Sequence, residues 1–311
     1  MFPTDLKCLS DWKLKAFFNS FDVIFCDCDG VILSQQNVLS GIPDAIYALK
    51  QIGKKIMYVT NNTSISRRKL QEIFKRAAID VDVNDVINPA VAIGAYFQKI
   101  QFTKKVFVIG LPGLREDLTS SGVDIANEAY DTLDNYTVEC LKKKLNSRDD
   151  NVGAVIICLD FNMTLLSLNQ ALNYLQDPNV LFIITGTEKT LFRSSLSTNR
   201  PRQICLGAGY VQNIVQDVTQ RKPLGFGKPL EGLEQYLKCL IKEHNYRASR
   251  ILFIGDSLNQ DVLFAKKLGI RQLLVLTGNT KLKDLYHCNN NQLPDYYIHG
   301  LSELTTLLRR V

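Results

Sequence analysis

Short apolar runs alternate with helix-like stretches along most of the chain, and several of these runs end on polar residues. Continuous apolar runs are typical of strands in a parallel sheet that is buried on both faces. The pattern predicts strands at 23–25, 56–59, 251–254 and 271–276. Helical spacing with proline or glycine near the ends predicts helices at 43–52, 66–78, 230–244, 259–268 and 301–309. This alternation predicts an α/β fold with a Rossmann-like parallel sheet.

The middle of the chain continues in α/β style with different content. Strands are predicted at 106–109, 152–159 and 181–184. Helices are predicted at 113–121, at 165–175 and, after Gly207-Ala208-Gly209, to about 218. We interpret this part as an α/β module inserted into the first sheet. The predicted domains are a core, first part, at 1–102, a cap at 103–219, and a core, second part, at 220–311.

Composition limits the classes of protein to which the chain can belong. The 311 residues are 46% hydrophobic and 22% charged, with a net charge of +6, which is ordinary for a globular protein. No basic stripe interleaved with aromatic residues is present, so we expect no nucleic-acid partner. No apolar run approaches the length of a membrane span, so we expect no membrane association. Eight cysteines lack the spacing of a zinc site, and no signal peptide is visible, so we expect a reducing cytoplasmic location.

Two carboxylates separated by one residue follow the first apolar run. Asp27 and Asp29 are followed by Gly30. Two like charges this close need a cation or a shared proton to coexist. Such a pair suits a nucleophile beside a general acid and base. The same residues also suit an ordinary polar turn after a strand, and this short stretch alone leaves both interpretations open.

Polar residues follow two further predicted strands and one loop: Thr60 with Asn61, Lys228, and Asp256 with Asp261. Ligands of open parallel sheets bind beyond the carboxyl ends of the strands, so these side chains are expected to converge. Three carboxylates favour a hard divalent cation, with Mg²⁺ as the candidate, and a hydroxyl, an amide and an ammonium suit a bound anion. Together they predict phosphoryl transfer through an aspartyl-phosphate. The alternatives are a helix cap for Thr60 and Asn61, an exposed helix-start lysine for Lys228, and a turn for Asp256.

Four motifs in order resemble those of haloacid-dehalogenase-superfamily phosphatases of the 4-nitrophenylphosphatase type, which include phosphoglycolate and pyridoxal-phosphate phosphatases. The motifs are Asp27-Cys28-Asp29-Gly30-Val31, Gly53-Lys54-Lys55 followed by Val59-Thr60-Asn61-Asn62, Gly227-Lys228-Pro229, and Gly255-Asp256-Ser257 with Asp261. The resemblance implies that Asp27 is the nucleophile and that Asp29 is the general acid and base. It also implies that Asp27, Asp256 and the backbone carbonyl of Asp29 bind Mg²⁺ and that Asp261 supports the metal or the lysine. Thr60, Asn61 and Lys228 would bind the phosphoryl group.

The resemblance extends to the inserted module as an α/β cap that selects the substrate. The cap positions concerned are Thr185, Glu188, Gly207 and Gly209. Here the chain departs from the family, which often has Thr-Asn-x-Asp where this chain has Thr185-Gly186-Thr187-Glu188. The expected substrate is a small phosphate ester such as phosphoglycolate or 4-nitrophenyl phosphate, and a homodimer through the cap is implied. The alternative function is a phosphoester-binding or regulatory protein with little turnover.

Overall fold

The chain divides into two compact units in a computed structural model that describes residues 2–127, 133, 135, 137–194 and 203–311. The first unit comprises Met1–Asn62, Arg67–Asn88 and Leu233–Val311. The second comprises Thr63–Ser66 and Pro89–Gly232. The domain borders predicted from the sequence, at 102/103 and 219/220, stay a prediction.

Strands and helices alternate in both units. Within the described residues the strands are β1 Thr4–Asp5, β2 Val23–Cys26, β3 Leu33–Ser34, β4 Asn37–Val38, β5 Lys55–Val59, β6 Val86–Ile87, β7 Lys105–Ile109, β8 Val152–Ile157, β9 Leu181–Ile184, β10 Thr190–Ser194, β11 Gln203–Leu206, β12 Leu224–Gly225, β13 Ile251–Gly255, β14 Arg271–Val275 and β15 Tyr296–Ile298. The α-helices are α1 Asp11–Asn19, α2 Ile42–Gln51, α3 Arg67–Arg76, α4 Pro89–Lys99, α5 Pro112–Ser120, α6 Val138–Asn146, α7 Leu165–Tyr174, α8 Ala208–Thr219, α9 Glu231–Glu243, α10 Leu263–Lys267 and α11 Leu304–Leu308.

A seven-stranded sheet with the order β1-β15-β14-β13-β2-β5-β6 forms the first unit. All of its pairs are parallel. Every residue of β2 and β13 is buried, as their continuous apolar sequences predict. From β2 the chain adds β5 and β6 on one side, and it later adds β13, β14 and β15 on the other. The carboxyl ends of β2, β5 and β13 therefore meet where the strand order reverses, which is where such sheets bind ligands. The predicted Rossmann-like α/β fold is confirmed.

A smaller sheet with the order β12-β9-β8-β7 forms the second unit, and its pairs are also parallel. Its core is built from apolar side chains of β7, β8, β9, α7 and α8, among them Phe107, Val155, Phe182 and Val215. A separate antiparallel pair joins β10 to β11. Helix α7 begins with a capping box in which Thr164 and Ser167 bond each other's backbone.

The structure departs from the sequence prediction mainly in short elements. The edge strands β1 and β6 and the inner strand β15 have two or three residues each, too few to stand out as apolar runs. The helix predicted at 259–268 begins instead as a π-helical turn, Leu258–Val262, before α10. Helix α4, at Pro89–Lys99, was not predicted. Within the described part of the chain, no helix is both long enough and apolar enough to cross a membrane.

Candidate active site

Asp27 is the first residue after β2 and continues that strand's pairing with β13. Its backbone N–H donates to the carbonyl of Ile254 at 2.8 Å. Its side-chain Oδ1 accepts the backbone N–H of Cys28 at 2.7 Å, and the residue is only 7% exposed. The end of a buried strand therefore fixes both the backbone and the carboxylate of Asp27.

Asp256 follows β13 in the same way, and the next turn brings Asp261 back to it. Oδ2 of Asp261 accepts the backbone N–H groups of Asp256 and Ser257, both at 3.0 Å. The π-helical turn at 258–262 makes this return possible. A Cβ on Gly255 would lie 2.3 Å from Cβ of Asp261, so only glycine fits before Asp256. Both aspartates are 1% exposed.

Three buried carboxylates meet at this edge of the first unit's sheet. One oxygen from each of Asp27, Asp256 and Asp261 lies within 4.8 Å of the other two. Buried like charges at this spacing are unfavourable unless they share a cation. Oxygen donors of this kind fit a hard divalent ion such as Mg²⁺ or Ca²⁺. The donor set therefore fits the predicted metal site. It also includes Asp261, for which the sequence predicted only a supporting role.

Two glycines allow the backbone to approach Asp256 closely. Gly30 has a φ of +84°, and a Cβ there would lie 2.4 Å from Oδ2 of Asp256. A Cβ on Gly278 would lie 1.9 Å from the same atom. The hydroxyl of Thr277 donates to the carbonyl of Gly30 at 2.6 Å, and the backbone N–H of Asn279 donates to Asp256 Oδ2. The loop after β14 is therefore part of the site.

Sequence reasoning missed this loop after β14, although a signal was present. Thr277-Gly278-Asn279-Thr280 is a polar stretch that follows an apolar strand, as the other site loops do. It was overlooked because the sequence does not reveal that β14 lies next to β13.

Asp29 makes a different contact from Asp27. Its Oδ2 accepts an N–H from the side-chain amide of Asn62 at 3.0 Å. Both residues are half-buried. Asn62 is part of the Val59-Thr60-Asn61-Asn62 motif, but the motif predicted no role for it.

Thr60 and Asn61 lie at the carboxyl end of β5. Thr60 is 2% exposed, and its Oγ1 accepts the backbone N–H of Asn62 at 3.0 Å. The amide of Asn61 donates to Oε1 of Gln260 at 3.3 Å, which links this loop to the turn that holds Asp261. Helix α3 begins only at Arg67, so the alternative that Thr60 and Asn61 cap it is wrong.

Lys228 belongs to the second unit and follows β12 in the chain. The residue is 1% exposed, and α9 begins at Glu231. The alternative that Lys228 is an exposed helix-start lysine is therefore wrong. Its role in binding phosphate stays a prediction.

The four cap positions predicted from the sequence come together within the second unit. The backbone N–H of Gly209 donates to the carbonyl of Glu188 at 2.9 Å, and that of Gly207 donates to Lys189 at 2.8 Å. A Cβ on Gly207 would lie 2.1 Å from the carbonyl oxygen of Glu188. Thr185, directly after β9, is buried at the start of the same loop. The glycines therefore allow two loops to pack backbone against backbone.

All eight cysteines are free thiols. Cys26 and Cys28, which flank Asp27, are buried, as expected for packing side chains. Cys158, after β8, is also buried, and the hydroxyl of Thr63 lies 3.1 Å from its sulfur. Burial raises the pKa of the Cys158 thiol, so it stays protonated at neutral pH.

Comparison with known proteins gives a consistent set of matches. Residues 24–124 match the model of haloacid dehalogenase-like hydrolases, and residues 226–304 match a related HAD-hydrolase-like model. A 4-nitrophenylphosphatase of Schizosaccharomyces pombe is 30% identical over 302 residues, covering 96% of this chain and 98% of that protein. Phosphoglycolate phosphatase 2 of Arabidopsis thaliana is 30% identical over 304 residues, covering 96% and 97%.

A solved structure shares the fold across nearly the whole chain. The crystal structure of a 4-nitrophenylphosphatase from Thermotoga maritima superimposes with a TM-score of 0.74 at 22% identity. The match covers 93% of this chain and 98% of that one.

Proposed function

The chain belongs to the haloacid dehalogenase-like hydrolases, as a phosphatase of the 4-nitrophenylphosphatase type, and we propose that it dephosphorylates a small phosphate ester through Asp27. It is a phosphoric monoester hydrolase. The observation that carries the proposal is that the buried carboxylates of Asp27, Asp256 and Asp261 lie close together at the carboxyl edge of the sheet. A fixed, buried carboxylate is what a nucleophile in this chemistry requires.

In the first half of the reaction, an oxygen of the Asp27 carboxylate attacks the phosphorus of the ester. The new bond joins that oxygen to phosphorus, and the bond from phosphorus to the ester oxygen breaks. Asp29 donates its proton to the departing oxygen, so the product leaves as a neutral alcohol. The enzyme then carries a phosphoryl group on Asp27.

In the second half, Asp29 acts as the base. Its carboxylate takes a proton from a water molecule while the water oxygen bonds to phosphorus. The bond between Asp27 and phosphorus breaks, and inorganic phosphate leaves. Asp29 is again protonated and Asp27 is again ionised, so the cycle closes with one water consumed.

Relatives of this class generally use a divalent metal, and we assign Mg²⁺ to Asp27, Asp256 and the backbone carbonyl of Asp29. The support is the oxygen-only donor set and the burial of its carboxylates. When bound, the ion offsets the negative charge that gathers where carboxylate and phosphate meet. Asp261 would fix the loop that carries Asp256, because its carboxylate accepts the backbone N–H groups of Asp256 and Ser257.

Thr60, Asn61 and Lys228 are the proposed ligands of the phosphoryl oxygens. A hydroxyl, an amide and an ammonium supply the donors that a phosphate dianion needs. The support for Thr60 and Asn61 is their position at the end of β5, the neighbour of β2. The support for Lys228 is its place in the Gly227-Lys228-Pro229 motif, which resembles the family's motif for binding phosphate.

We assign residues 103–219 to a cap that selects the substrate, with Thr185, Glu188, Gly207 and Gly209 in its selecting loops. The relatives include proteins named 4-nitrophenylphosphatase, phosphoglycolate phosphatase and glycerol-3-phosphate phosphatase. We therefore propose that the substrate is a small phosphorylated metabolite, with phosphoglycolate as the first candidate.

A homodimer through the cap is part of the proposal. The support is a set of exposed apolar side chains in the second unit: Ile204 and Leu206, two residues apart on β11, and Tyr210, Ile214 and Val218, four residues apart on α8. Ile214→Glu is expected to shift a dimer towards monomer in light-scattering measurements; an unchanged mass would contradict this interface. The eight free thiols support a reducing compartment, for which we propose the cytoplasm.

The experiment is a phosphate-release screen over many phosphomonoesters with Mg²⁺, with Asp27→Asn as the control. We expect release from at least one small ester by the wild type and none by the variant. Activity that survives in Asp27→Asn would contradict the mechanism. Failure of the wild type on every ester would contradict the proposed function.

A further inference from the structure

We propose that Asn62 is a positioning residue that holds Asp29 in the orientation for proton transfer to the leaving group. The inference rests on the proposed function, because it concerns the acid in that reaction. It deepens that function by assigning a task to a side chain that the motif alone leaves without one.

The contact that carries the inference is direct. Nδ2 of Asn62 donates to Oδ2 of Asp29 at 3.0 Å, a normal length for an N–H···O bond. The two residues are 33 positions apart, so the bond joins the loop after β2 to the loop after β5. A carboxyl group on a loop rotates about two side-chain bonds, and a fixed donor removes that freedom.

Asn62 is itself held in place by Thr60. The backbone N–H of Asn62 donates to Oγ1 of Thr60 at 3.0 Å, so the turn after β5 sets the position from which the amide reaches Asp29. Thr60 is a proposed phosphate ligand, and its backbone N–H donates to Ile87 of β6 at 3.0 Å. The side chain and backbone of Asn62 therefore join the acid to the proposed phosphate-binding loop.

An amide suits this task better than a charged group. A lysine or arginine at this position would favour the ionised form of Asp29 strongly, whereas a second carboxylate would repel it. The N–H of Asn62 binds Oδ2 with no net charge, and in the proposed reaction Oδ1 carries the proton. In the forward step that proton passes from Oδ1 to the ester oxygen as the bond from phosphorus to oxygen breaks.

A role in orienting the acid and a merely structural role predict different kinetics. Proton donation matters most for a leaving group that is a strong base, and little for 4-nitrophenolate, which departs readily as an anion. A misaligned Asp29 therefore slows phenyl phosphate much more than 4-nitrophenyl phosphate. Loosening of the loop alone would slow both substrates to the same extent.

The experiment compares kcat/KM for these two aryl phosphates in wild type, Asn62→Ala and Asn62→Asp. The ratio kcat/KM covers the steps up to departure of the phenol, so hydrolysis of the phosphorylated enzyme does not obscure the result. Asn62→Asp is a variant that replaces the amide donor with a second carboxyl group, which repels Asp29 or shares its proton. Asn62→Leu, measured as well, keeps the approximate shape of the side chain without a donor or a charge, which covers the case in which Asn62→Ala does not fold. Asn84→Ala is the matched control, because Asn84 is an exposed asparagine before β6 in the same unit.

We expect the Asn62 variants to lose about tenfold in kcat/KM on phenyl phosphate and less than about twofold on 4-nitrophenyl phosphate. Asn84→Ala should match the wild type on both. Equal losses on the two substrates, or no loss, would overturn the role of Asn62 while leaving the phosphatase function intact. A wild type that hydrolyses neither substrate nor any other phosphomonoester would instead overturn the proposed function, and this inference with it.

Discussion

The two ends of the central strands of the first sheet carry charged residues of opposite character. At the carboxyl ends of β2 and β13 lie Asp27 and Asp256, which are buried and meet each other and Asp261. At the amino ends of the same strands lie Asp22 and Arg250, which face solvent and pair with each other. The strands, their order and their register are common to both ends.

At the amino edge, Asp22 and Arg250 neutralise each other's charge. The guanidinium of Arg250 donates to both carboxylate oxygens of Asp22. The ammonium of Lys54, before β5, donates to the carbonyl of Phe21 at 2.7 Å. Asp22 and Arg250 have both solvent and an opposite charge beside them, so this pair needs no ligand.

At the carboxyl edge, like charges are gathered away from water. Such an arrangement costs stability unless something binds there, and folds retain it where it has a function. The two edges of this sheet therefore differ in burial and in the sign of the neighbouring charge more than in the number of charged residues. These two properties distinguish a candidate active site from an ordinary surface.

The largest expected effect comes from removing one carboxylate at each end of β2. Asp27→Asn removes the proposed nucleophile, so kcat should fall by at least about a thousandfold. Asp22→Asn makes the same chemical change at the other end of the strand and should leave kcat within about twofold of wild type. Steady-state phosphate release measures both. Comparable losses in the two variants would show that the difference between the edges has no catalytic meaning.

The next effect tests the close approach to Asp256. Gly278→Ala places a methyl group 1.9 Å from Oδ2 of Asp256, so that carboxylate must move. We expect kcat to fall by about tenfold to a hundredfold, because small displacements of a catalytic group are costly. The measurement is kcat as a function of Mg²⁺ concentration.

Gly53→Ala is the matched control for this substitution. Gly53 lies just before β5 at the amino edge, has a φ of +80°, and has no atom within 4 Å of an added Cβ. Its substitution should cost roughly 1 kcal/mol of stability through backbone strain and leave kcat unchanged. Full activity in Gly278→Ala would mean that Asp256 is not held where the structure has it.

The smallest effect is the pH dependence of the ion pair at the amino edge. The hydrogen bond from Arg250 lowers the pKa of Asp22 below its ordinary value of 3.8. A lowered pKa in the folded state means that the pair contributes stability above that ordinary value and loses it as the pH falls through the lowered pKa. Melting temperatures of wild type and Asp22→Asn should therefore differ slightly at neutral pH and converge in acid. A difference that grows in acid would contradict this assignment.

The sequence was sufficient for the parts of the site that lie on long apolar strands. The continuous run before Asp27 and the run before Asp256 predicted buried parallel strands, and the carboxyl-end rule then predicted where the polar residues meet. The glycine at position 30 was evident as part of a motif. The reason why only glycine fits there was evident only from the structure: a Cβ at this position would lie 2.4 Å from a carboxylate oxygen of Asp256.

The rest depended on which strands are neighbours. Asn62 reaches Asp29 only because β5 lies beside β2, and Asn279 reaches Asp256 only because β14 lies beside β13. The sequence predicted a helix at 259–268, whereas a π-helical turn, Leu258–Val262, brings Asp261 back to Asp256. Sequence patterns report periodicity along one segment, and these contacts join segments that are distant in the chain.

The central claim is that Asp27 and Asp256, buried beside Asp261 at the carboxyl edge, hold a cation. Thermal unfolding with Mg²⁺ tests this claim without reference to any substrate. A ligand at a hundredfold excess over its Kd stabilises the folded state by about 2.7 kcal/mol. We predict that Mg²⁺ raises the melting temperature of wild type and of Asp22→Asn by several degrees and leaves that of Asp256→Asn unchanged. An equal rise in all three proteins, or no rise in the wild type, would contradict the claim.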